Sequence, residues 1–230
     1  NHRETILKAL SSRPDLLVLD LEGVDRREKA GTRALAEALV KEGALGKVRV
    51  AVRINGLDSL EVTLDLKAMV RHGVAALVVP GVGLRDEIRV LDTLVQDLER
   101  HAGLETGTIR FLPAVESPEA LERAGDIAGA SRRVLALVLG EKPAAALGFE
   151  ARGRLALAAA EVGVAAIDAP CPDPSDRMIL LEEAGRARQI GYAGKVAIHP
   201  RQVAAIRRVF SAPSPRAGQG PGTGSQGSYE

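Results

Sequence analysis

The chain has 230 residues, with Lys+Arg 31 balanced by Asp+Glu 30, so it lacks the basic excess that would neutralise a phosphate backbone, and nucleic acid is not an expected partner. Aromatic residues make up 2% and cysteine occurs once, at Cys171, which leaves few platforms for stacking bases and excludes an internal disulfide or a clustered thiol metal site. No apolar run approaches the roughly 18 residues of a membrane span, and Asn1, His2, Arg3 and Glu4 lack the pattern of a secretion signal; no membrane partner and a cytoplasmic location are expected.

Seven short β-branched apolar runs follow one another: Asp15 to Leu21, Val48 to Ile54, Ala75 to Val79, Thr108 to Val115, Val134 to Gly140, Val164 to Ala169 and Lys195 to His199. They are continuous in hydrophobicity rather than alternating, as parallel strands covered on both faces are. Helical periodicity lies between them. Ile88, Leu91, Val95 and Leu98 share one helix face, with Arg89, Asp92, Asp97 and Glu99 assigned elsewhere. Ser117-Pro118 and His199-Pro200 each place a proline at the start of a helix just after a strand. Strict β/α alternation predicts an α/β fold, either a barrel or an open doubly wound sheet. The barrel domain is expected over 1–210, and 211–230, rich in Gly, Pro and Ser, reads as a disordered tail.

In either fold the chemistry gathers at strand C-terminal ends. Those ends carry Asp20, Glu22, Arg53, Asn55, Glu116, Glu141, Lys142, Asp168 and His199, a constellation suited to a small anion and a divalent cation. Bland roles compete with this one. Asp20 suits a carboxylate accepting loop amides, Arg53 a structural ion pair, and His199 a hydrogen-bonded structural histidine. Arg53 equally suits bidentate clamping of a substrate carboxylate. Gly81-Val82-Gly83 lacks the third glycine of a dinucleotide turn, and Gly140-Glu141-Lys142 lacks the remainder of a phosphate loop.

Val18-Leu19-Asp20-Leu21-Glu22, Lys29 with Arg33, Val52-Arg53-Ile54-Asn55-Gly56, Val78-Val79-Pro80, Val115-Glu116-Ser117, Gly148, Ala166-Ile167-Asp168 and the run from Gly194 to Val203 come in that order. Together they resemble the citrate lyase β-subunit (CitE-like) family, which groups with the HpcH/HpaI aldolases and malyl-CoA lyases. The resemblance implies a TIM-type (β/α) barrel in which the family's first strand and C-terminal helical segment are missing. It also implies carbon-carbon cleavage of a 3-hydroxyacyl thioester, such as a coenzyme A thioester, with magnesium as cofactor and a homo-oligomeric assembly. Arg53, Glu22 and Lys142 then fall at catalytic positions, Asp20, Asn55, Asp168 and His199 at substrate-binding positions, and Glu116 at a metal ligand.

Three departures bear on that expectation. Lys142 stands where the family has its second metal-binding aspartate, and repulsion between an ammonium and a divalent ion a few ångströms apart is several kcal/mol at an effective dielectric near 20, so magnesium binding is expected to be weakened or lost. Lys142 is expected instead to pair with Glu116. Gly23 replaces the last acid of the Asp-Leu-Glu-Asp motif, and Gly81 replaces a lysine after Pro80. A catalytically silent relative that binds a small carboxylate or a partner protein remains the alternative reading.

Overall fold

The computed structural model describes residues 2–211 apart from 172 and 174. Seven strands, β1 (Leu16–Asp20), β2 (Arg49–Arg53), β3 (Ala76–Val79), β4 (Arg110–Val115), β5 (Ala136–Leu139), β6 (Ala165–Asp168) and β7 (Gly194–Lys195), form one parallel sheet in sequence order. Among the described residues ten helices accompany them: α1 (His2–Ser11), α2 (Lys29–Lys41), α3 (Val62–Met69), α4 (Arg85–His101), α5 (Pro118–Glu122), α6 (Ala124–Ala128), α7 (Glu141–Leu147), α8 (Phe149–Val162), α9 (Arg177–Gln189) and α10 (Pro200–Ser211). Sequential parallel neighbours joined by helical crossovers curl the sheet into an open barrel of TIM type, the one of the two expected architectures that the chain adopts.

The pleat divides each strand between two cores. Leu17 and Leu19 of the first strand and Leu21 just after it join the large cluster beneath the helices, with Val50, Val52, Leu77, Phe111, Leu137 and Ala166. The alternate residues point into the barrel, where Ala51, Ala76, Val78, Leu112 and Ala136 form a second, smaller cluster against which Leu16 packs. By the same alternation Asp20, Arg53 and Glu116 reach the inner rim, and Asp168, in phase with Ala166, faces the helices.

The first six strands fall within the expected runs. The seventh is shorter than expected and sits one residue earlier, because Gln202 Oε1 accepts the amides of Ile198 (2.9 Å) and His199 (3.2 Å) and turns the chain into α10 before a longer strand can form. Glu99, assigned off the apolar face of α4, lies fully buried on it, four residues after Val95. Arg133 makes this tolerable: its Nη1 and Nη2 donate to the two Glu99 oxygens at 2.8 and 2.7 Å, and the amides of Ile109 (2.7 Å) and Gly107 (2.9 Å) complete the carboxylate's partners.

The N-terminal helix α1 packs into the outer layer through Ile6, Ala9 and Leu10, and touches α10. There Arg207 donates to Arg13 O and pairs with Asp15 at 3.3 Å, tying the two ends of the described chain together. Ser211, expected to open the tail, closes α10; 212–230 lie outside the described residues. No helix among the described residues is long and apolar enough to cross a membrane.

Candidate active site

Arg53 ends β2 directly opposite Asp20 in the β1–β2 register. Its guanidinium meets three carboxylates at once: Nη1 lies 3.5 Å from Asp20 Oδ2, and Nη2 contacts Glu22 and lies 3.4 Å from Glu116 Oε1. About a third of each of Arg53, Glu22 and Glu116 stays open to solvent, at 32, 33 and 31%. A cavity of about 260 Å³ opens beside them, walled by Glu22, Asp58, Pro80, Gly81, Glu87 and Glu116. The rim thus sets one planar cation among three carboxylates, beside a pocket whose charged walls are Glu22, Asp58, Glu87 and Glu116.

Each acid is held differently. Asp20 Oδ1 accepts the amides of Glu22 and Gly23, both at 2.9 Å, so the loop-cap role applies to it even though it lies at the surface. Glu116 Oε2 accepts the Gly81 amide at 3.2 Å, which the positive φ of 63° at Gly81 makes possible. Behind Glu116 the backbone of Gly140 passes so close that a Cβ there would lie 2.8 Å from Val115 O and 2.9 Å from Glu116 Cγ. Partial burial pushes the Glu116 carboxyl above the usual carboxylate range; Arg53 pulls it down, Glu22 pushes it up again, and Lys142 exerts the smallest influence.

Lys142 is therefore near enough to bear on Glu116, yet the expected ion pair between them does not form. The lysine is exposed on the first turn of α7, and among the described residues Arg53 alone pairs with Glu116. Two further expectations need correction. Asp168 is fully buried and faces the helix layer, where Arg152 Nε (2.8 Å) and Lys195 Nζ (2.7 Å) each hold one of its oxygens. Its place at a strand end was legible, but the pleat turns it outward. His199 is exposed in the bend before α10, and its Nδ1 accepts the Arg201 amide at 3.1 Å, the structural role.

Asn55, expected at a substrate-binding position, is buried and spends its side chain on neighbours. Nδ2 donates to Asp65 Oδ2 (2.6 Å) and Leu21 O (3.2 Å), and Oδ1 accepts from Lys29. Sequence reasoning missed Asp65, Arg152, Lys195 and Glu183. A charge at buried helical spacing, as Asp65 beside Leu66 and Met69, or Arg152 among the alanines of α8, was the signal available.

A family model described as HpcH/HpaI aldolase/citrate lyase matches residues 1–200. The citrate lyase subunit beta of Haemophilus influenzae is 30% identical over 211 residues, which cover 86% of this chain and 72% of that protein. An L-malyl-CoA/beta-methylmalyl-CoA lyase of Cereibacter sphaeroides is 30% identical over 242 residues, covering 91% of this chain and 76% of the relative. Among solved structures, the citrate lyase beta subunit from M. tuberculosis complexed with oxaloacetate and magnesium superposes with a TM-score of 0.73 at 25% identity, covering 91% of this chain and 92% of that one. RipC from Yersinia pestis superposes with a TM-score of 0.73 at 29% identity, covering 87% and 90%. The barrel, the order of its rim residues and these matches agree: the chain belongs to the HpcH/HpaI aldolase/citrate lyase family.

Proposed function

We propose that the chain is a carbon-carbon lyase acting on a 3-hydroxyacyl thioester such as a coenzyme A thioester, by retro-aldol or Claisen-type cleavage or the reverse condensation, with altered metal dependence. The observation that carries this reading is Arg53, presented at the inner rim beside a cavity on a chain whose relatives are carbon-carbon lyases. Arg53 holds the carboxylate of the oxoacid portion, in exchange for one of the acids that now contact it. Cleavage develops enolate charge near that carboxylate, and fixed cations aimed at the site stabilise it most where water is excluded. Arg53 supplies one such cation, and Lys142, exposed on the first turn of α7, is the candidate for the second.

Magnesium prefers several oxygen ligands in near-octahedral array, usually one or two carboxylates with water and substrate oxygens. The residues present do not fit an ion shared between two acids. Glu116 is committed to Arg53 and to the Gly81 amide, Lys142 stands where the family resemblance implies the second acid, and no group of three or more Asp, Glu, His or Cys side chains among the described residues converges to hold a metal. This supports weakened magnesium binding, and no step is routed through the ion.

The test is cleavage of citryl, malyl and methylmalyl thioesters by the folded protein with and without magnesium. Turnover that persists in chelator supports the proposal; a folded protein that cleaves none of them refutes it. Lys142→Asp is expected to raise magnesium affinity, read by calorimetry. The same lysine favours a second reading, a catalytically silent relative that binds a small carboxylate or a partner protein, for which oxaloacetate binding without turnover is the signature. A homo-oligomer is part of the proposal, and sedimentation equilibrium measures it.

A further inference from the structure

Glu22 reaches Arg53 from a loop with no regular structure, in which Asp20 Oδ1 accepts its amide while a second group must hold its flanking carbonyls. Lys29, the first residue of α2, does so. Its ammonium donates to Leu21 O at 3.3 Å, to Glu22 O at 3.1 Å and to Asn55 Oδ1, which uses all three of its protons. Two of these acceptors are the carbonyls on either side of the Glu22 amide and side chain; the third belongs to the residue two beyond Arg53. One cation thus staples the segment that delivers the carboxylate to the segment that delivers the guanidinium.

The staple is anchored from behind. Asp65, fully buried on α3, accepts the backbone amide of Asn55 at 2.8 Å and its side-chain amide at 2.6 Å, and Arg33 Nε holds the other Asp65 oxygen at 2.7 Å. Buried and fully satisfied networks of this kind fix geometry because any member that moves leaves a polar group unpaired. None of Lys29, Asn55 and Asp65 walls the cavity beside Arg53.

We infer that Lys29 is the positioning residue of this site: through the carbonyls of Leu21 and Glu22 it sets the Glu22 carboxylate against Arg53 and so governs how the guanidinium is presented to a ligand. The inference rests on the proposed reading of Arg53 as the carboxylate-binding group. In the full chain, Lys29→Met removes the ammonium and keeps the aliphatic stem. Labelling of Arg53 by phenylglyoxal, followed by peptide mass spectrometry, is expected to become several-fold faster, with amide exchange rising only over residues 21–28. Glu22→Gln with Lys29 intact is expected to speed Arg53 labelling in the same way without the change in exchange. Arg133, buried in a separate ion pair, serves as the internal control and stays unlabelled. Unchanged Arg53 labelling in either variant overturns the inference, and so does a rise in exchange throughout the protein, or failure of Lys29→Met to fold, either of which marks a lysine serving the fold alone. Calorimetric titration of the unaltered protein with oxaloacetate judges the carboxylate reading separately: absence of binding sinks that reading, whereas the labelling decides on Lys29.

Discussion

Replacing Asp168 by alanine separates a role in the fold from a role in substrate binding. The carboxylate is fully buried between Arg152 and Lys195, so its removal leaves two cations facing each other in the layer between sheet and helices. Breaking a buried ion pair by removing one partner costs about 3–5 kcal/mol. Here the loss is moderated, because Lys195 retains Ala169 O at 2.6 Å and Glu183 at 2.9 Å, and Arg152 retains Glu183 at 3.7 Å. The lower end, about 3 kcal/mol, is therefore expected. For a domain of this size that corresponds to a fall in Tm of about 6–12 °C. Urea unfolding with an unchanged m-value, together with calorimetry, measures the loss, and oxaloacetate titration well below the transition measures the site. The expected outcome is a destabilised protein whose folded form binds as before. A loss under about 1 kcal/mol accompanied by abolished binding would refute the structural assignment and return Asp168 to the substrate.

Gly140→Ala tests the close approach behind Glu116. The backbone there has φ −76° and is open to alanine, so the contacts of the new methyl with Val115 O, Glu116 Cγ and Glu116 Cα oppose it, at a cost of about 1–3 kcal/mol read from the urea midpoint. A pH series tests Glu99. Burial alone would raise its pKa, but Arg133 and the amides of Ile109 and Gly107 outweigh burial and hold it below the ordinary carboxylate value. A depressed folded-state pKa contributes stability that is present above the unfolded value of about 4.3 and is lost as pH falls through the folded one. The urea midpoint is expected to drop on acidification below about pH 5, and Glu99→Gln to be less stable at neutral pH with a shallower acid slope. An unchanged slope in the variant would contradict the assignment.

The strands were legible because buried parallel strands read as unbroken apolar runs, and the meeting of Asp20, Glu22, Arg53 and Glu116 was legible because strand ends converge on one rim. What escaped was orientation. One residue along a strand exchanges the two faces, so Asp168 and Glu116 both look like rim acids until the pleat assigns the first to the helix layer and the second to the barrel mouth. The alanine at position 166, in phase with Asp168, was the available hint, since Ala166 lies under the helices. Glu99 escaped for a related reason: its compensating partner Arg133 lies on another segment of the chain, and a charge four residues beyond Val95 reads as surface until that partner is placed. The Lys29–Asn55–Asp65 network was likewise hidden, because its members come from α2, the β2 end and α3 and meet only in the fold.

The charge count at the rim bears on how the site takes a ligand. Arg53 contacts three acids, and Asp20 already spends one oxygen on two loop amides, so if Arg53 holds a ligand carboxylate as proposed, Glu22 and Glu116 are the acids it displaces. Binding at Arg53 is then an exchange of one carboxylate for another, in which the Coulomb gain nearly cancels. Net affinity must come from the remainder of the ligand, through burial in the cavity against Leu57 and Pro80. This favours a ligand with an organic body over a bare small anion, and a thioester that carries its carboxylate at one end has such a body.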